Sequence, residues 1–156
     1  MQLELAVATA CEPSHCRVVR LEGRGPIDAV YGAKVLNRIR VRPGDLVAID
    51  LTEQPPAVVW RWWHGTVQSL SDDGVLLERR VTKRAPDDTE GVMLAATLPD
   101  HLRGQVTVGA TVFFTGHGDE GTTVVGVSRD LGAVDSARLQ GELLPGVAAA
   151  YRAMGG

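Results

Sequence analysis

Two groups of residues in this sequence have types and spacings that chemistry can use. The first is a set of cations with aromatic rings among them. Arg17, Arg20, Tyr31, Lys34, Arg38 and Arg40 lie in the first third of the chain, Arg61 and Trp63 lie near its middle, and Arg79, Arg80, Lys83 and Arg84 form its densest basic run. Guanidinium and ammonium groups follow a phosphate backbone, and flat rings stack bases. The second group is a pair of thiols, Cys11 and Cys16, with His15 between them. Zinc needs four protein ligands, or three and a water. No second cysteine pair is present, and His64, His101 and His117 are scattered along the chain. The thiols are therefore expected to be packed and reduced, with no metal and no cofactor.

The three tryptophans fall in one apolar run, Trp60, Trp62 and Trp63, around Arg61. In a strand, Trp60 and Trp62 share one face while Arg61 and Trp63 share the other. One face should be core. The other would present a tryptophan beside an arginine, where a base stacks or a protein partner is gripped. Such rings also suit a seam between two small barrels.

Motifs for catalysis are missing. The sequence holds no Gly-x-Ser-x-Gly, no phosphate-binding Gly-x4-Gly-Lys and no His-Glu-x2-His. Gly116-His117-Gly118-Asp119 and Asp72-Asp73-Gly74 read as turns. The chain is expected not to be an enzyme.

The elements that must position these residues are mostly strands. Period-two alternation or β-branched runs mark strands at 3–8, 16–21, 27–31, 46–51, 57–67, 75–81, 92–98, 111–115 and 122–127. Arg42-Pro43-Gly44-Asp45 has turn chemistry. Residues 33–38 fit a short helix, as do 99–103, which open with Pro99. From Asp135 the apolar spacing becomes helical, with Asp135 or Ser136 as a cap, and Pro145-Gly146 is expected to split this tail into two short helices.

The plan of the first half recurs in the second. Leu36-Asn37-Arg38-Ile39-Arg40-Val41-Arg42-Pro43-Gly44-Asp45-Leu46-Val47 answers, with one gap, to Leu102-Arg103-Gly104-Gln105-Val106-Thr107-Val108-Gly109-Ala110-Thr111-Val112. Five strands with a helix between the third and fourth is the strand order of an OB fold. The fold class expected is all-β with short helices: two tandem five-stranded OB-like barrels and a C-terminal helical tail, with boundaries 1–56, 57–130 and 131–156. A pair of SH3-like barrels is the competing architecture. The last strand of the first barrel is expected to run through the tryptophans into the first strand of the second, giving a shared seam and a ligand surface that spans both halves.

Cys16-Arg17-Val18-Val19-Arg20-Leu21-Glu22-Gly23, the short helix at 33–38, and Ile39-Arg40-Val41-Arg42-Pro43-Gly44-Asp45-Leu46-Val47 resemble the S1-like OB family, which includes the bacterial translation initiation factor 1. The resemblance covers residues 16–51. It implies a small barrel with a tendency to bind RNA or DNA.

Charge sets a limit on that implication. The net charge is −3 and the pI is near 5.8, which excludes a generally basic nucleic-acid binder. Residues 1–50 carry seven cations against six acids, residues 51–100 five against eight, and residues 101–156 four against five. A basic face must therefore be local. No apolar run approaches the ~20 residues of a membrane span. The start Met1-Gln2-Leu3-Glu4 lacks a basic region, so no signal peptide, a cytoplasmic location and no membrane partner are expected. Two functions follow. One is binding of single-stranded nucleic acid or structured RNA. The other is protein interaction or self-association through barrel edges and the C-terminal helices.

Overall fold

A computed structural model describes residues 2–21, 25–31, 41–72, 74–82, 89–115, 122–128 and 133–153, with backbone only at 81, 82, 89 and 133–136. The expected helix at 33–38 and the turn at 116–121 lie outside what is described, and Asp135 and Ser136, expected as a cap, instead fall inside the helix, which begins at Ala133. Among the described residues, nine strands and one long helix follow in order: β1 (Leu3–Cys11), β2 (His15–Arg20), β3 (Pro26–Tyr31), β4 (Leu46–Asp50), β5 (Ala57–Leu70), β6 (Val75–Thr82), β7 (Thr89–Ala96), β8 (Thr111–Phe114), β9 (Val124–Val127) and α1 (Ala133–Ala153). A 3-10 turn, Asp100–Leu102, follows Pro99. The chain is therefore mostly β, and the registers described are antiparallel apart from β3–β5 and the Thr97↔Thr123 bridge.

It divides into two compact units, Met1–Arg61 with Leu131–Gly156, and Trp62–Asp130. The expected partition put boundaries at 56/57 and 130/131. β5 begins in the first unit and ends in the second, as the run through the tryptophans suggested, and residues 131–156 cluster with the first unit.

In the first unit, β1 pairs with β2 and with β4, β2 pairs with β3, and β4 neighbours β5. The start of β5 then pairs in parallel with β3, at Val30↔Ala57 and Tyr31↔Val58. The pairings run in a ring. Alternation sends Ala6, Ala8, Cys16, Val18, Ala29, Val47, Ile49 and Val58 into one apolar cluster. On the outside, α1 lies against β1, and the Gln140 side-chain oxygen accepts from Leu5 N at 3.3 Å.

The second unit repeats the order. The end of β5 pairs with β6 and β8, β6 with β7, and β8 with β9. A parallel bridge, Thr97↔Thr123, connects the strands third and fifth in sequence. Its core is Val67, Val75, Leu77, Leu98, Leu102, Val106, Val112, Phe114 and Val124, with Trp63 packed against it.

Local geometry recurs as well. Gly44 donates to Ala8 O at 2.7 Å, Ala8 to Asp45 O at 2.9 Å, and Asp45 to Arg42 O at 3.0 Å. In the second unit Gly109 donates to Val67 O at 2.8 Å, Val67 to Ala110 O at 2.9 Å, and Ala110 to Thr107 O at 3.0 Å. Gly44 and Gly109 have φ of 100° and 90°, a region where a Cβ meets the backbone. Both leading hairpins also shift register at the same point, between Ala8 and Ala10 and between Val67 and Ser69.

One expectation fails outright. Pro145 does not split the tail: α1 runs unbroken for 21 residues with Pro145 inside it. Proline removes one N–H and crowds the carbonyl four residues before it. Burial on both sides holds the helix through that defect, since Leu139 ahead of it and Val147 after it are both in the core.

Candidate functional site

Alternation gives each unit an outer strand face. In the first unit it carries His15, Arg17 and Val19 on β2, opposite Val30, Asp28 and Pro26 on β3. In the second it carries Leu76, Glu78 and Arg80 on β6, opposite Ala95, Met93 and Gly91 on β7. These pairs are cross-strand neighbours, close enough for their side chains to meet.

The candidate cations reach different ends. Arg17 is exposed and pairs with Asp28 at 3.2 Å. Arg80 is exposed and lies 3.7 Å from Glu78. Arg20 is turned inward, where two of its nitrogens meet both carboxylate oxygens of Glu4 in a partly buried ion pair. Arg61 is buried. Its Nη1 sits 3.2 Å from Asp45 Oδ2, and the two side chains are 6% and 1% exposed. That same oxygen accepts Arg42 N at 2.9 Å, so the turn carboxylate is also a buried counter-ion. Burial pulls the Arg61 pKa down from its ordinary value, and the charge and hydrogen bond of Asp45 pull it back up. Lys34, Arg38 and Arg40, in the connection from β3 to β4, and Lys83 and Arg84, between β6 and β7, lie outside the described residues.

The tryptophan run departs from strict alternation. Trp60 is 37% exposed whereas Trp62 is 4% exposed. Alternation holds only while a strand keeps the same neighbours. β5 leaves β3 after Val58 and takes up β8 from Trp63, and across that change Arg61 and Trp62 are both buried. Trp63 is half-buried, with its ring stacked on Phe114 at 6.4 Å between centroids. The guanidinium of Arg79 lies 5.4 Å from the Trp63 centroid. Arg79 and Trp63 hold the places in β6 and β5 that Arg20 and Glu4 hold in β2 and β1. One unit fixes its second-strand arginine with a carboxylate, the other with a ring.

Tyr31 is not an open stacking platform. It packs against the core of the first unit, and its hydroxyl donates to Glu12 O at 3.0 Å. Burial first, then the neighbouring Cys16 and Cys11, push its phenol up to about 12.

The arrangement that the residue pattern did not bring forward is the thiol pair. Cys11 and Cys16 are direct cross-strand partners. Their common turn, Glu12-Pro13-Ser14-His15, closes with Glu12 N donating to His15 O at 2.8 Å. Cys16 is buried and Cys11 half-buried, and both are free thiols. The signal was available: two cysteines flanking a proline-containing turn end up opposite each other if that turn is a hairpin.

Exposed apolar side chains gather in the second unit. Leu70, Leu76 and Met93 are 43%, 37% and 48% exposed. A groove of about 430 Å³ beside them is lined by Ser69, Leu76, Ala95, Thr97 and Thr122, among others. Among the described residues no three or more His, Cys, Asp or Glu side chains gather as a metal site would require. No described helix is long and apolar enough to cross a membrane. No protein-family model and no curated protein matches the chain.

Proposed function

We propose that the chain binds single-stranded nucleic acid through two OB-like barrels in tandem, with the outer face of β6–β7 as its main contact. The observation that carries this reading is the ring of strand pairings in each unit, first-second-third-fifth-fourth, with parallel pairing only between third and fifth. An OB barrel has that order, and it lays single strands across its second and third strands. The resemblance of residues 16–51 to S1-like proteins supports the same reading. Arg80 stands on that face, while Arg79, its neighbour in β6, points to the opposite face and lies over Trp63. Lys83 and Arg84 follow in sequence after Val81-Thr82.

The described cation of this face, Arg80, lies 3.7 Å from Glu78, so the electrostatic contribution is small. Each neutralised phosphate adds about 0.7 to the salt slope for a single strand. Binding that uses Arg80, Lys83 and Arg84 therefore gives a slope of about 2. Anisotropy with labelled single-stranded DNA and RNA, titrated with salt, measures it. Arg80→Ala should weaken binding and lower the slope by about 0.7, whereas Arg79→Ala should leave the slope unchanged. Absent binding, or binding that ignores both salt and Arg80→Ala, overturns the reading.

A second reading has its own observation. The cluster of Leu76, Met93 and Ala95 is apolar and its neighbouring charges are balanced, which suits a protein partner better than phosphate. It predicts self-association in sedimentation that Leu76→Ser/Met93→Ser abolishes. The C-terminal helix is a weaker docking device than its pattern implies, since Leu139 and Val147 are already buried.

A further inference from the structure

We propose that Cys11 and Cys16 form a reactive dithiol at the tip of the β1–β2 hairpin, which accepts a disulfide bond from small-molecule disulfides and returns it to small thiols. The case begins with register. Cys11 and Cys16 are paired directly across β1 and β2. The adjoining pair toward the turn is hydrogen-bonded, Glu12 N to His15 O at 2.8 Å. Antiparallel pairs alternate between bonded and non-bonded, so the cysteines occupy a non-bonded site. Cα atoms at such a site are about 4.5 Å apart, within the span a disulfide takes without backbone movement.

Exposure separates the two roles. Cys11 is half-buried at the ring's end, within reach of a small molecule, and Cys16 is fully buried. The Cys16 thiol donates to the Cys11 sulfur. That bond lowers the pKa of Cys11 and raises that of Cys16, and burial raises Cys16 further. Every other charged group acting on the pair opposes ionisation: Glu12 in the turn and Asp45 beside Cys11, and Asp28 on β3 beside Cys16. Tyr31, on β3, stands close enough that the thiols raise its phenol. Cys11 is therefore the attacking sulfur and Cys16 the resolving one.

The chemistry balances in two exchanges. The Cys11 thiolate attacks one sulfur of R–S–S–R. A Cys11–S–S–R bond forms, the small disulfide breaks, and R–S⁻ leaves and takes up a proton. Cys16 then gives its proton to solvent and attacks the Cys11 sulfur, and a second R–S⁻ leaves. Two protein thiols are oxidised by two electrons, and one small disulfide becomes two thiols.

The test uses the full chain in glutathione buffers of graded oxidation, quenched and read by intact mass. Wild type should lose two hydrogens and stay monomeric, with the loss reversed by reduced glutathione. Cys16→Ala should hold one glutathione on Cys11, and Cys11→Ala should react many-fold more slowly. In a second measurement, the pH midpoint of Cys11 alkylation should rise in Cys16→Ala, where the donating thiol is gone. Circular dichroism reports whether each variant is folded, and the wild-type readings stand without them. Wild type that stays reduced in oxidised glutathione overturns the proposal. So do disulfide-linked dimers in place of the internal bridge, equal reactivity of the two single variants, or an unmoved alkylation midpoint.

Discussion

Arg61→Met removes a guanidinium from the interior and keeps most of the aliphatic stem. Asp45, 1% exposed, still accepts Arg42 N at 2.9 Å but loses the charge 3.2 Å away. Breaking a buried pair from one side costs about 3–5 kcal/mol, because the remaining charge sits uncompensated in low dielectric. Both side chains are nearly inaccessible, so solvent screening takes little from that figure. With a urea m-value of about 1–3 kcal/mol/M, the midpoint should fall by on the order of 2 M. Asp45→Asn removes the negative charge beside the buried Arg61 guanidinium, while its amide oxygen can still accept Arg42 N. Burial outweighs the partner in setting the Arg61 pKa. The pair is thus closer to self-cancelling than to stabilising, and the double variant should lie well above the sum of its parts. Urea unfolding followed by tryptophan fluorescence, with Trp60 and Trp62 flanking Arg61, and by circular dichroism in parallel, gives the three energies. Single variants that cost under about 1 kcal/mol, or costs that add within about 0.5 kcal/mol, refute the argument.

Three further outcomes follow from single residues. Burial pushes Asp50 up, but hydrogen bonds from Thr52 Oγ1 at 2.7 Å, Thr52 N at 3.0 Å and Gln2 N at 3.3 Å outweigh it and hold its pKa below the ordinary 3.8. Its contribution is complete above the ordinary value and vanishes as pH falls through the lowered one, so the wild-type advantage over Asp50→Asn should shrink below about pH 4; parallel stability–pH curves contradict this. Gly109→Ala should cost about 1–2 kcal/mol through its φ of 90° alone, since nothing lies within 4 Å of a Cβ there. Gly104→Ala, equally open and without a left-handed φ, should stay within about 0.5 kcal/mol, and equal losses would sink the comparison. Pro145→Ala should raise thermal stability by about 1–3 kcal/mol, because an exposed mid-helix proline is replaced by the best helix former; an unchanged melting temperature would contradict it.

The strands were legible because alternation in Leu3–Cys11 and Val75–Thr82 reports a two-sided sheet whatever its partners. The Pro43-Gly44 turn was legible because only glycine sits easily at that φ. Ion pairing was not. Whether Arg20 meets Glu4, or Arg61 meets Asp45, depends on register and on which strands become neighbours, and neither is written in local composition. The candidate site accordingly changed character: several cations read as a phosphate track are occupied by carboxylates. The tail failed for a related reason. Pro145 is a strong local signal, but the burial of Leu139 and Val147 is a tertiary fact, and it prevails.

The parallel bridge of the second unit has a consequence for how this protein comes apart. Among the described residues, the junction between its third and fifth strands rests on two hydrogen bonds, Thr97 N to Thr122 O at 2.8 Å and Val124 N to Thr97 O at 3.0 Å. Every other junction of that unit is a ladder of several residue pairs. When those two bonds open, β7 and β9 become edge strands with their amides and carbonyls unsatisfied. Amide exchange at Thr97 and Val124 should therefore run ahead of the core. The same opening offers a second copy a strand to pair with, so the thinnest described seam of the second unit is also a direct route to strand exchange and aggregation.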